Sequence, residues 1–415
     1  MGFNPLDEKG IPLEKQARSW SELNVKPYTA CDVHPYTRTR VILMNGIEVE
    51  AALFLHQMNR HATDMALKQQ LAMTRRMEQQ QQKMVNWLIP AQESVLEVTL
   101  GYEQVAVDLT AWLAKTEPDP YVKQALDFAL LEDFDHLYRY ANLYSLDTGQ
   151  DPSEIVGDYT EIMPGRPTIA EHRHPFDSVR RHYDATTADI LTKLHVCTIV
   201  AGEQQTMNYY MNSGNRYANM LGRGLYLEIA QIEEQHVSHY ESLADPRMSW
   251  FEHLVMHDYN ETYLYYSCLE SENDPRIKQI WELMLQMEIG HLHNSIELMK
   301  KFEQRDARTM LPKEFPTLTI FESNKEYVRD VIKQQLNLTA EGTEFVPVGA
   351  LPNDFRYFEY NRMVNGDKVP SQEVIREHIT EKQQDYRLMT EGDYPVGALQ
   401  SRTSVPDTVA RTMPA

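Results

Sequence analysis

The chain has 415 residues, 42% of them hydrophobic, enough for a large core and possibly two structural units. Its formal charge of −21 makes nucleic acid a poor partner, and it contains no run of eighteen apolar residues that would suggest a membrane span. Cys31, Cys197 and Cys268 are far apart with no Cys-x-x-Cys, which excludes a rubredoxin-type iron site and a zinc ribbon and suits a reducing cytoplasm. Residues 1–9 lack a basic, apolar leader, so secretion is not expected.

Residues 1–46 contain Pro5, Pro12, Pro27 and Pro35, show little periodicity and read as an extended N-terminal arm. A helical region follows over 47–303. Residues 47–88 read as one long helix stopped by Pro90, with the glutamine run 79–82 as a solvated face and His56 and His61 in structural roles. Helices are predicted at 91–115 and 120–146, then an irregular connection rich in Pro and Gly. Further helices are predicted at 176–212 and 217–244, and a last hairpin at 249–271 and 276–303. Residues 304–415 are Pro-rich and read as an arm laid over the helices or over a partner subunit. Short helices are expected in it at 322–336 and 371–388, the latter capped by Ser371. Pro347-Val348-Gly349-Ala350-Leu351 recurs as Pro395-Val396-Gly397-Ala398-Leu399. The fold class is all-α.

Four histidines, His136, His174, His236 and His291, have an acid three residues before them. Acids are common here, 61 of 415 residues, so that spacing alone carries little. A second acid thirty residues before the first discriminates. It gives Glu103 with Asp133 and His136, Glu203 with Glu233 and His236, and Asp258 with Glu288 and His291. His174 fails, because Ala141 stands at that place, and Glu171-His172-Arg173-His174-Pro175 reads as a loop. The faces agree. Leu96, Leu100, Glu103 and Val107 share one side of a helix, as do Leu126, Leu130, Asp133, His136 and Tyr140, and Leu225, Ile229, Glu233, His236 and Tyr240. Buried carboxylates must be paired or bound to metal, and no Lys or Arg lies on these stripes within a turn of them.

One acid followed a hairpin later by Glu-x-x-His is half of a dinuclear carboxylate site. A complete site needs two halves, and in the ferritin-like arrangement that this pattern resembles the two hairpins are related by a two-fold axis, so that the second and third helices run parallel and need a crossover as long as the bundle. A helix of about 25 residues is about 38 Å long. The stretch 147–175 can cover that distance and the link 245–248 cannot. Glu103, Asp133, His136, Glu203, Glu233 and His236 are therefore expected to form the site, over a core of 91–244. The Asp258, Glu288 and His291 set, with Glu261 an equally good acid, is expected to be structural in a hairpin packed beside it.

Over 91–244 the chain resembles the ferritin-like superfamily of di-iron and di-manganese carboxylate proteins, on Glu103, Asp133-Phe134-Asp135-His136, Glu203 and Glu233-Glu234-Gln235-His236. Asp133 departs from the superfamily's Glu, and Glu132 is a possible substitute. The resemblance implies a ferritin-like four-helix bundle with added helices. It also implies Glu103 and Glu203 as terminal or bridging ligands, Asp133 and Glu233 as bridges, and one metal on each histidine. Oxygen and nitrogen donors suit two iron ions, with two manganese or a mixed manganese/iron pair as alternatives. The expected function is an O2-activating di-iron oxidase or oxygenase acting on a small organic substrate. Electrons would come from a separate reductase or from the substrate, since no flavin or nicotinamide fingerprint is present. A manganese catalase or peroxidase and a metal-poor scaffold are the alternatives. Tyr140 and Tyr240, each four residues after a ligand histidine, are candidates for a radical role. A homo-oligomer with exchanged arms is expected, and no partnership with nucleic acid or membrane.

Overall fold

A computed structural model describes residues 2–383 and Pro395. After a four-residue turn of helix α1 (Trp20–Leu23), the long helices are α2 (Pro35–His61), α3 (Met65–Asn86), α4 (Val95–Thr116) and α5 (Pro120–Thr148). The connection 149–189 holds only the short α6 (Ser153–Val156) and α7 (Thr168–Glu171). Then come α8 (Ile190–Ser213), α9 (Met220–Glu241), α10 (Trp250–Ser271) and α11 (Pro275–Glu303). The C-terminal part adds α12 (Lys325–Gln335), an antiparallel hairpin of β1 (Leu338–Glu341) and β2 (Glu344–Pro347), α13 (Arg356–Asn365) and α14 (Pro370–Lys382). Among the described residues no helix is long and apolar enough to cross a membrane. The all-α reading therefore stands, apart from this one small hairpin.

The helices pair as hairpins: α2 with α3, α4 with α5, α8 with α9, and α10 with α11. Tight three-residue links close three of them. In each, an Asp side chain caps the second helix: Asp64 accepts from the Leu67 amide, Asp119 from Tyr121 and Val122, Asp274 from Arg276 and Ile277. α2, α4, α8 and α10 pack on one another as a middle layer. α5 and α9 lie on one side of that layer, α3 and α11 on the other. This makes two groups of four, α4/α5/α8/α9 and α2/α3/α10/α11. α12 and α14 lie over α5, and α14 also over α9, through Val328, Ile332, Val374 and Ile375.

Several boundaries differ from the sequence expectations. The N-terminal arm ends at His34, not at 46, because Pro35 opens α2 at the first helical position, where its missing N–H costs nothing. The single helix expected over 47–88 is instead the end of α2 and all of α3, broken at Ala62 and capped anew by Asp64. The helix expected from 176 starts at Ile190, after a 3-10 turn and an extended stretch. The glutamine run 79–82 is not a solvated face throughout, since Gln81 is fully buried. Ser371 does not cap α14. It lies inside the helix, its N–H and hydroxyl both donating to Glu228 at 2.8 and 3.0 Å. The second Pro-Val-Gly-Ala-Leu copy and the end of the 371–388 helix lie outside the described residues, Pro395 excepted.

Candidate metal centre

All six expected ligands meet inside the α4/α5/α8/α9 group. α4 supplies Glu103, α5 Asp133 and His136, α8 Glu203, and α9 Glu233 and His236. Each is at most 2% exposed. The two imidazoles lie with centroids 5.7 Å apart, so the histidines share one interior. Their donor atoms sort into two groups, Glu103/His136/Glu233 and Asp133/Glu203/His236, with the atoms of each within 4.8 Å of one another. Glu233 stands between the groups: Oε1 is 3.0 Å from His136 Nδ1 and Oε2 is 3.3 Å from His236 Nδ1.

The histidines are oriented by carboxylates behind them. His136 Nε2 lies 2.9 Å from Glu171 Oε2, and His236 Nε2 lies 2.8 Å from Glu132 Oε2. A ring that donates Nε2–H outward presents Nδ1 inward, the arrangement that outer carboxylates impose on metal-binding histidines. His236 Nδ1 is then ringed by oxygens from three helices: Glu233 Oε2 at 3.3 Å, Asp133 Oδ1 at 3.4 Å and Glu203 Oε2 at 3.5 Å. A lone pair facing three carboxylates is repulsive unless a proton or a cation sits among them. Donors sharing one small ion at about 2.1 Å stand about 3.0–3.5 Å apart, and these separations fall in that range.

The outer shell was not foreseen. Glu132 is not a substitute for Asp133. One residue along a helix turns the side chain by about 100°, so Asp133 faces the other helices while Glu132 faces the 149–189 connection. There Glu132 accepts from both Arg166 and Arg173, which neutralise it. Gly165 permits this approach: a Cβ there would collide with the Leu131 carbonyl. Asp135 anchors the same connection, accepting from the Gly165 and Thr168 amides at 3.1 and 3.0 Å. The 171–175 segment, read as a plain loop, instead contributes Glu171 from the buried α7. Its signal in the sequence is the acid three residues before His174, a pair set aside because Ala141 stands where the second acid would be, whereas Glu171 lies on His136.

The electrostatics are those of anions lacking counter-ions. Among the described residues no Lys or Arg pairs with Glu103, Asp133, Glu203 or Glu233. Burial pushes the Glu103 and Glu203 carboxyls well above the usual range and Asp133 up to about 7. Burial acts the same way on Glu233, but the adjoining His136 and His236 imidazoles outweigh it and hold that carboxyl below the usual range. Burial opposes charge on both imidazoles, yet the surrounding acids, led by Glu171 for His136 and Glu203 for His236, hold their pKa values well above normal. Both Asp133 oxygens, both Glu203 oxygens, Glu103 Oε2 and His236 Nδ1 have no hydrogen-bond partner. Native interiors satisfy nearly all such atoms, so this donor set fits a bound cation pair.

Tyr140 and Tyr240 are buried one turn beyond the histidines, and their hydroxyls have no partner. The phenol that touches the cluster is Tyr210 on α8, which donates to Glu103 Oε1. Tyr210 also borders a cavity of about 370 Å3 between α8 and α9, with Met211, Tyr226, Leu227 and Ala230. No protein-family model, curated protein or solved structure matches the chain.

Proposed function

We propose that α4, α5, α8 and α9 are a ferritin-like four-helix bundle holding two iron ions, and that the protein is an O2-activating di-iron oxidase or oxygenase acting on a small organic substrate. The observation that supports it most is His236 Nδ1 enclosed by carboxylate oxygens of Glu233, Asp133 and Glu203, with Glu233 reaching both histidines. Four carboxylates and two neutral imidazoles balance two divalent cations in charge. Glu103 and His136 would hold one ion, Asp133, Glu203 and His236 the other, and Glu233 both. Iron held there would supply the electrons for reduction of dioxygen, a chemistry beyond these side chains alone.

The protein's own groups have definable parts. Glu171 and Glu132 fix the imidazole tautomers, and Arg166 and Arg173 keep Glu132 ionised. Tyr210 holds Glu103 by a hydrogen bond. Packing of α12 and α14 over α5 shields the bundle's outer face from water. The cavity beside Tyr210 and Tyr226 is lined mainly by apolar and aromatic side chains, with Asn215, Arg223 and Gln231 as its polar part, and suits a small, largely apolar substrate. A separate reductase would supply electrons.

Oxygen uptake by protein loaded anaerobically with Fe(II) tests the reading. Rapid uptake is expected in the wild type and its loss in His236→Ala. Vigorous peroxide breakdown by the Mn(II)-loaded protein, with no oxygen uptake by the iron form, would overturn it.

A further inference from the structure

The second helix group has an interior of the same kind. Glu48 on α2, Glu78 on α3, Asp258 and Glu261 on α10, and Glu288 and His291 on α11 are all buried. All but Glu261 repeat positions of the first cluster at one displacement. Glu48 and Glu78 lie 55 residues before Glu103 and Asp133, and Asp258, Glu288 and His291 lie 55 residues after Glu203, Glu233 and His236. The caps follow: Asp64 is 55 before Asp119, and Asp274 is 55 after Asn219. So does the phenol, since Tyr265, which donates to Glu48, is 55 after Tyr210, which donates to Glu103. Two members differ: 55 residues before His136 stands Gln81, and 55 before Glu261 stands Thr206.

The donor atoms again form two groups, Glu78/Glu288/His291 and Glu48/Glu78/Glu261, sharing Glu78. His291 Nδ1 lies 2.9 Å from Glu78 Oε1 and 3.1 Å from Glu288 Oε2. Its Nε2 is 2.6 Å from Gln16 Oε1. The Gln16 amide nitrogen donates to the Ile11 and Met287 carbonyls, both at 2.8 Å, so its oxygen must face the ring and accept from Nε2–H. Nδ1 is thereby aimed at the acids. The N-terminal arm reaches this position because Gly290 has no side chain: a Cβ there would collide with the Ile11 carbonyl. Gln81 donates to Glu288 and Glu48, leaving its own Oε1 unpartnered. Both Glu261 oxygens, Glu48 Oε2 and Glu78 Oε2 also have no partner. Among the described residues no Lys or Arg pairs with any of these five acids. A purely structural hairpin would not enclose such a set, because each buried, uncompensated carboxylate costs several kcal/mol.

We propose that α2, α3, α10 and α11 hold a second divalent-metal centre with its own ligand chemistry. One position is formed by His291, Glu78 and Glu288. The other is all oxygen, from Glu48, Glu78 and Glu261. With no imidazole in this second position the donor set is harder than at the first centre, which favours Mn(II) over zinc or copper. The proposal stands independently of any oxygen chemistry at the first centre.

Metal-stripped full-length protein, reconstituted with Mn(II) and desalted, provides the test. Wild type should retain about four ions per chain, two from each centre. Glu78→Gln combined with Glu261→Gln should lower this to about two, and Glu203→Gln combined with His236→Ala should remove the other two. Metal-free Glu78→Gln/Glu261→Gln should melt no lower than metal-free wild type, which separates lost metal from lost fold. A wild-type content of about two that is unchanged in Glu78→Gln/Glu261→Gln would overturn the second centre. A content of about two that is lost in that variant and kept in Glu203→Gln/His236→Ala would support it and remove the first centre instead.

Discussion

Glu171 Oε2 stands 2.9 Å from His136 Nε2, and this contact turns the other ring nitrogen toward Glu103 and Glu233. The carboxylate comes from a four-residue helix in the long connection, far in sequence from every other member of the cluster. It gives that connection a second task besides spanning the helices. Glu171→Ala should weaken metal binding by about 10- to 100-fold, and Glu171→Gln, whose amide oxygen can still accept, by less. Mn(II) titration followed by calorimetry reads both. Equal affinity in wild type and Glu171→Ala would show that the contact does not orient a ligand.

His236 is the more enclosed imidazole, with three acids around Nδ1. His236→Ala should cost the first centre at least one ion, measured as iron or manganese per chain. Unchanged metal content would remove His236 from the ligand set.

The three buried phenols near the cluster should differ. Tyr210 donates to Glu103, whereas the Tyr140 and Tyr240 hydroxyls have no partner. Tyr210→Phe should destabilise the metal-free protein by about 1–3 kcal/mol, since it strands a buried carboxylate oxygen. Tyr140→Phe and Tyr240→Phe should stay within about 0.5 kcal/mol of wild type or gain stability, because they remove an unsatisfied hydroxyl. Chemical denaturation of the three variants checks the order.

Asp108 on α4 offers a pH test away from the metal ligands. Burial pushes its carboxyl up to about 7, against hydrogen bonds from Thr160, Tyr36 and Asn324 that lower it. A carboxyl with a higher pKa folded than unfolded holds its proton more tightly in the native state. Its contribution to stability is complete below about pH 4 and is lost as pH rises through about 7. Wild type should therefore lose more stability than Asp108→Asn over that interval, by an amount on the order of a few kcal/mol. Parallel pH dependences in the two proteins would show that this carboxyl titrates normally.

The first cluster was legible because helix periodicity and the acid–acid–histidine spacing point to the same faces. Glu103, Asp133, His136, Glu203, Glu233 and His236 follow from spacing and helix face together, and their donor atoms lie together. The outer shell was not legible: Glu132 and Glu171 act through a connection whose path no local pattern specifies. Half of the second cluster, Asp258, Glu288 and His291, shows the same spacing, and the other half is hidden by two local features. Ala62-Thr63-Asp64 breaks α2 from α3 with neither Pro nor Gly, and only the Asp64 cap marks it. Gln81 stands where a search keyed on histidine requires His. Without that break, Glu48 and Glu78 lay on one continuous helix and their thirty-residue separation carried no meaning. The 55-residue displacement was open to inspection, since Asp64 matches Asp119, but it shows only when hairpins are compared with hairpins.

The central claim is that six donors from four helices converge because cations hold them. Anomalous diffraction above and below the iron and manganese edges, on crystals of protein purified without chelators, tests it most directly. The account predicts two peaks between His136 and His236, each within about 2.5 Å of one Nδ1. A map with both imidazoles in place and no peak beside either Nδ1 would contradict it.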